Sequence, residues 1–230
     1  MVKENEAWLC GQCGLNLDEH TRDGEGAAHC HDMRLYVPRR GDWMQTCSGA
    51  RFWFLDPQPE EIVFDDIAVG LANLCRYTGQ VRSFYSVAQH SVFVSELVQA
   101  LGGEPKLQRA ALLHDASEAY LSDLPRPLKY LLTEYRVIEK DVERVIEAAF
   151  AIELTDAERA LLKLADRMAL QLERRALFAD ELRWAGDGEY AQYAKQLNRW
   201  RRWPERTEPP MVAYASFVAN WNVQAIRTVR

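Results

Sequence analysis

His90, the adjacent pair His114-Asp115 and Asp166 are residues of metal-ligating type set among apolar neighbours. His90 has Val87, Phe93 and Val94 at helical spacings, His114 and Asp115 follow the run Ala110-Ala111-Leu112-Leu113, and Asp166 has Leu162, Ala165, Ala169 and Leu170 around it. Those spacings turn all four toward the core side of three different helices. Each alone has a plainer use. A lone histidine on an apolar face packs as a satisfied core residue, and Asp166 has Arg167 and Arg174 nearby in sequence as partners. As a set they demand more, because a buried carboxylate is costly unless it is paired or bound to metal. Two carboxylates and two imidazoles facing inward converge most simply on one divalent cation. Such donors suit Mn, Co, Fe, Ni or Zn. Four protein ligands on a six-coordinate ion leave positions for water and substrate, which hydrolysis requires.

The elements that must position these residues are legible as helices. Asp65 or Asp66 is placed to cap a helix carrying Ile67, Leu71 and Leu74 and ending near Gly79. Ser86 with Gln89 reads as a capping box for a helix reaching about Leu101, with Val87, His90, Val94 and Leu97 on one face. Gly102, Gly103 and Pro105 break it, and the next helix runs from Leu107 to about Leu121 before Pro125 and Pro127 force a loop. Residues 134–151 are helical, and Thr155 with Glu158 is a second capping box opening a helix to about Trp184. Two further helices are expected at 188–201 and 210–227. Strand patterns are almost absent, so the fold class is all-α.

Residues 1–50 differ from the helical body at 51–230. They hold four of the five cysteines and three of the five histidines, with no helical period. Cys10 and Cys13, separated by Gly11-Gln12, resemble a zinc knuckle. Cys30 with a flanking His31 would complete a structural zinc site, with Cys47 a rival fourth ligand; an arm with free thiols is the plainer alternative. A module this small otherwise lacks the core to fold alone.

The net charge of -6 argues against non-specific nucleic-acid binding. The cluster Arg199-Trp200-Arg201-Arg202-Trp203 would suit a single strand, but cations closing a helix C-terminus are the preferred reading. No apolar run approaches the roughly 20 residues that span a bilayer, and MVKENEAWLC lacks a signal-peptide core. A cytoplasmic location without membrane contact is expected, with the cysteines free or metal-bound.

The order His, His-Asp, Asp on successive helices resembles the signature of HD-domain phosphohydrolases. The run from His114-Asp115-Ala116-Ser117-Glu118 through Asp123-Leu124-Pro125 to Lys129 is similar to the 5'-deoxynucleotidase branch and its phage relatives that hydrolyse deoxynucleotides such as dATP. Asn73-Leu74-Cys75-Arg76-Tyr77 and Tyr85 to Ser91 extend the likeness, which covers about residues 50–180. It implies an HD-type helical bundle holding a catalytic transition metal through His90, His114, Asp115 and Asp166. It further implies that Glu118 orients or activates the attacking water, that Asp123 serves as an acid near the leaving oxygen, and that Arg76 contacts the nucleotide. Helix geometry agrees for Glu118, which lies four residues after His114 and three after Asp115. Tyr77 stands where the deoxynucleotidases carry a tryptophan that helps reject ribose. Lys129 and Arg82 are phosphate candidates because phosphate needs charge-assisted donors; both would equally serve as surface cations.

The expected activity is hydrolysis of a deoxynucleotide by in-line attack of a water that the metal activates. A monophosphate would yield nucleoside and phosphate, a triphosphate nucleoside and triphosphate. The small-molecule nucleotide is then the principal partner, and relatives assemble as homo-oligomers, dimers or larger. The competing reading is a non-catalytic nucleotide sensor, or a nucleic-acid-binding zinc protein, on the same scaffold. The intact set of His90, His114, Asp115, Asp166 and Glu118 speaks against it.

Overall fold

A computed structural model of the protein describes residues 39–179 and 207–228 and, as strands, 7–10 and 33–36. The chain divides into two compact units, Met1–Asp42 and Trp43–Arg230. In the first, β1 (Ala7–Cys10) pairs antiparallel with β2 (Met33–Tyr36), setting Cys10 opposite Met33. Of the expected zinc ligands, Cys13, Cys30 and His31 lie outside the described residues, as do the expected helix at 188–201 and the cationic-aromatic cluster at 199–203. Cys47 is described, and it is an exposed free thiol.

The second unit opens with a hairpin, β3 (Trp43–Gln45) and β4 (Arg51–Trp53), in which Met44 faces Phe52. The expected boundary after residue 50 falls inside it. Phe52 is fully buried and stacks on Tyr120 with ring centroids 4.0 Å apart. The hairpin is tied to α1 (Phe64–Asn73) by Asp66, which accepts from both the amide and the hydroxyl of Ser48 at 2.7 Å. Asp66 is therefore not the expected helix cap; Val63 occupies that position without a side-chain bond, and α1 stops at Asn73 instead of Gly79.

The remaining helices are α2 (Val87–Ala100), α3 (Pro105–Leu112), α4 (Glu118–Leu121), α5 (Arg126–Lys129), α6 (Thr133–Ala149), α7 (Asp156–Leu177) and α8 (Pro210–Thr228). The all-α expectation holds for this unit. The central helix is α2, which packs Val87, Ala88 and Val92 into a core shared with α1, α6 and α8. Its other side sends Phe93, Val94, Leu97 and Val98 into a second core with α3 and α7. A helix buried on most sides is expected to be apolar all round, yet α2 also buries Gln89, His90, Ser91 and Ser95, of which only His90 can carry a charge. Among the described residues no helix is long and apolar enough to cross a membrane.

Two capping boxes were expected, and one forms completely. Thr155 accepts from the Glu158 amide while Glu158 accepts from the Thr155 amide at 2.8 Å. Ser86 caps α2 by accepting from the Gln89 amide at 3.1 Å, but the Gln89 side chain accepts from Glu208, ahead of α8, instead of turning back. The single helix expected from Leu107 to Leu121 is broken. The ring of His114 donates to the Ala111 carbonyl at 2.8 Å, the acceptor the Asp115 amide would use in a continuing helix. Residues 113–117 instead form tight turns, with Leu113 bonding back to Ala110 and Ala116 to Leu113. α7 ends at Leu177 instead of Trp184, as Phe178 turns extended, packs edge-on against Tyr77 and leaves the Leu177 carbonyl to the Arg82 amide.

Gly70 of α1 lies where a Cβ would stand 2.8 Å from the Cβ of Ala119, the residue after Glu118. Gly70→Ala should gain about 1 kcal/mol of helix propensity yet lose about 1–3 kcal/mol to overpacking. The expected outcome is a lower melting temperature, read by calorimetry, with activity falling further than stability because α4 must shift.

Candidate functional site

Three packed elements bring four side chains of metal-ligating type together. His90 comes from the middle of α2, His114 and Asp115 from the turn after α3, and Asp166 from the middle of α7. The Nε2 atoms of His90 and His114 are 3.3 Å apart. Asp115 Oδ2 lies 3.4 Å from the first and 3.2 Å from the second, and Asp166 Oδ1 lies 3.4 and 3.9 Å from them. Neighbouring ligands about 2.1 Å from a shared cation stand about 3 Å apart; His90, His114 and Asp115 offer ligand atoms all within 4.8 Å of one another, a group that suits one ion, and Asp166 lies beside the two imidazoles outside that group. His90 is fully buried, while the Asp115 and Asp166 side chains retain 23% and 29% exposure. The cluster therefore has a closed floor and an open mouth. The correction to the sequence reading is local: His114 and Asp115 sit on a turn, not on a helix face.

The outer nitrogens of both rings are committed elsewhere. His90 Nδ1 meets Glu173 Oε1 at 2.6 Å, and His114 Nδ1 donates to the Ala111 carbonyl. Acceptors on the outer side fix the proton there and leave the Nε2 lone pairs aimed at the shared point. Two lone pairs 3.3 Å apart repel unless a proton or a cation lies between them. Without a metal, protons fill that role. Burial and the Arg76 charge oppose protonation of His90, but Glu173 and the bonds with Asp115 and Asp166 outweigh them and hold its pKa well above the usual value. His114 is likewise raised, burial notwithstanding, by Asp115. The same contacts overcome burial to hold Asp115 well below the carboxylate range and Asp166 below it.

Glu118 opens α4, and the tight turn before it sets it on the side of Asp115, since residues three apart eclipse in such turns. It is buried, and its Oε2 has no hydrogen-bond partner. Burial, then Asp115 and Asp123, push its pKa well up against the pull of Arg76 and Lys129. Asp123 accepts from the Tyr77 amide at 3.2 Å. Both ends of that bond are strained: Tyr77 and Thr78 have φ of 58° and 52°, and Ser122 has φ 71° with ψ 153°. The Ser122 conformation is one that essentially only glycine adopts freely. Strain of this kind, about 1–3 kcal/mol per residue, persists where surrounding contacts over-determine the geometry.

Arg76 lies against the cluster, its Nη1 3.4 Å from Asp115 Oδ2 and its Nε 3.4 Å from Glu173 Oε2. The Tyr77 hydroxyl donates to Glu173 at 2.8 Å and the Tyr85 hydroxyl at 3.0 Å. Lys129 is bonded to Glu139 at 2.6 Å and remains close enough to influence Glu118 and Asp115. Arg82 stands apart: it is exposed, with its backbone amide tied to Leu177. A cleft of about 180 Å³ reaches the edge of His114 between Leu113, Glu143, Ile146 and Leu162.

Glu173 is the site residue that sequence reasoning missed. It is fully buried, yet burial is outweighed by His90 and Arg76, with bonds from His90 and Tyr77, and its carboxyl is held down at about 2. The available signal was its spacing. Glu173 follows Asp166 by seven residues, two helical turns along the same apolar face that carries Ala169 and Leu172.

No protein-family model matches the sequence. Over 139 residues, 60% of this chain and 74% of its relative, the protein is 40% identical to the uncharacterised Escherichia coli protein YfdR. It is 35% identical over 138 residues to an uncharacterised protein of Rhodobacter capsulatus, covering 57% of this chain and 70% of that one. It is 33% identical over 141 residues to the 5'-deoxynucleotidase of Vibrio cholerae, covering 49% and 70%.

Metal-stripped protein should show a stability maximum in pH. His90 and His114 hold protons more tightly folded than unfolded, so their contribution is complete below about pH 6.5 and lost as pH rises through the folded-state values. Asp115 and Asp166 hold protons less tightly folded, so theirs is present above about pH 4 and lost as pH falls through the folded-state values. Saturating Co²⁺, replacing the imidazole protons, should abolish the alkaline loss and raise Tm. Thermal melts from about pH 4 to 9 test this; identical profiles with and without Co²⁺ would sink the metal assignment.

Proposed function

This chain belongs to the family of the 5'-deoxynucleotidases, and on that premise we propose that it is a metal-dependent phosphohydrolase of deoxynucleotides. The observation that carries the reading is the convergence of His90, His114 and Asp115, with Asp166 beside the imidazoles and the outer nitrogens of both rings engaged elsewhere. A divalent transition-metal ion held by these four would supply Lewis-acid activation of water and of the phosphoryl group.

The chain's own residues do the rest. Glu118, with its unpartnered buried Oε2, accepts a hydrogen bond from the attacking water and orients it. The water oxygen bonds to the α-phosphorus as the bond to the nucleoside O5' breaks. Asp123, fixed through the Tyr77 amide, serves the leaving O5', which takes up in balance the proton that the attacking water sheds to Glu118. Arg76 supplies a fixed cation to the phosphoryl oxygens, and Lys129 adds a second. The Tyr77 ring, locked between Glu173 and Phe178, borders the sugar. Anchored by its hydroxyl, that ring is a fixed wall. Arg82, exposed and outside the network, serves phosphate only by reaching in from the rim.

Phosphate release from a panel of deoxynucleoside mono- and triphosphates, with stripped protein resupplied with Mn²⁺ or Co²⁺, tests the proposal. Turnover should require the metal and vanish in Asp115→Ala. The product, phosphate or triphosphate, identifies the bond position relative to the chain end. Glu118→Gln should lower kcat by about a hundredfold to ten-thousandfold while Co²⁺ still binds. Absence of turnover with every nucleotide and metal would defeat the proposal.

A further inference from the structure

We propose that Glu173 is a positioning residue that couples the metal centre to the nucleotide-binding arm, an inference that rests on the phosphohydrolase reading. Its two oxygens are divided between two parts of the site. Oε1 accepts from His90 Nδ1 at 2.6 Å and from the Tyr85 hydroxyl at 3.0 Å. Oε2 accepts from the Tyr77 hydroxyl at 2.8 Å and lies 3.4 Å from Arg76 Nε. A buried carboxylate needs a counter-charge and hydrogen bonds to its remaining lone pairs, and for stability alone any local donors would serve. This one instead engages a ring aimed at the metal position and the two consecutive residues of the strained Arg76–Gly79 turn.

The arrangement has a functional consequence. Glu173 holds the proton of His90 on Nδ1, which keeps the lone pair on Nε2 available to a cation. Through its other oxygen it holds the Arg76 guanidinium beside Asp115 and the Tyr77 ring on Phe178. Displacing the carboxylate frees both at once, so the metal position and the arm are ordered together. Glutamine exposes this division. Its amide has one acceptor and one donor end. Tyrosine hydroxyls can turn to accept, but Arg76 Nε cannot accept, and His90 Nδ1 can accept only by moving its proton to Nε2, which blocks the metal. Glu173→Gln therefore keeps an acceptor for His90 only with its amide nitrogen turned toward Arg76, and in either orientation it removes the charge that Arg76 Nε faces at 3.4 Å without a hydrogen bond.

The test uses the full chain, stripped of metal, as wild type, Glu173→Gln, Glu173→Ala and Tyr85→Phe. Co²⁺ affinity is read from its visible absorption. Affinity for the 5'-phosphonate analogue of deoxyadenosine monophosphate, whose P–C bond resists hydrolysis, is read by calorimetry at saturating Co²⁺. Glu173→Ala should weaken both by about tenfold or more, and Glu173→Gln at least one of them by that amount. Should Glu173→Gln not fold, Tyr85→Phe carries the test, with Co²⁺ weakened about fivefold by the loss of one bond to Oε1. A folded Glu173→Gln that binds both probes within twofold of wild type overturns the coupling while leaving the enzyme reading intact. Variants that behave as expected in a protein that hydrolyses no deoxynucleotide overturn the enzyme reading and leave the coupling standing. A wild type that binds no Co²⁺ ends both.

Discussion

Two imidazoles held with their Nε2 atoms 3.3 Å apart, one fully buried and the other nearly so, are the constraint around which the rest of this molecule is arranged. Nothing apolar can relieve that contact. It needs protons or a cation between the lone pairs, and two carboxylates beside it to balance whichever is present. The three elements carrying these groups must then be held to within a few tenths of an ångström, since donors fixed by packing and outer hydrogen bonds are what give a metal site its selectivity.

That demand explains features that look costly in isolation. α2 is buried on all sides, packed between two apolar cores, and so holds His90 with no freedom to move. α3 gives up its last turn because the His114 ring takes the Ala111 carbonyl, and the resulting tight turn carries Asp115 and Glu118 to the same side. The left-handed Tyr77 and Thr78 and the glycine-like Ser122 store strain on either side of the bond that joins Tyr77 to Asp123. Gly70 clears room for Ala119 and so for α4 beneath Glu118. Strain and close approach concentrate where the chemistry is proposed, and the capped ends of α2 and α7 and the packed cores provide the compensating stability.

Buried charge is balanced locally. Asp115 and Asp166 face the imidazoles, while Glu173 meets His90 on the far side and Arg76 beyond it. Glu118 is the exception. It is buried with an unpartnered oxygen and no dedicated cation within bonding distance among the described residues, and its neighbours Asp115 and Asp123 oppose its ionisation. A carboxyl left in that condition is poised for proton chemistry or for a water, which is the role proposed for it.

The local order of residues by itself determined the helical class, the complete Thr155–Glu158 box, the cap at Ser86 and the core-facing side of the helices that carry His90 and Asp166. These follow from periodicity and from short-range hydrogen bonds, both of which a linear string carries. Only the tertiary structure decided that the helix expected through Leu121 breaks at His114, because the break depends on where a ring points after three elements have packed. The same holds for Asp66, whose partner Ser48 lies eighteen residues away, and for Gln89, which answers Glu208 across the bundle. Glu173 is the sharpest case. In sequence it is one of two glutamates on a charged helix. Its meaning comes from His90, Tyr85, Tyr77 and Arg76, which are 83 to 97 positions earlier in the chain and meet it only when α7 docks against α2.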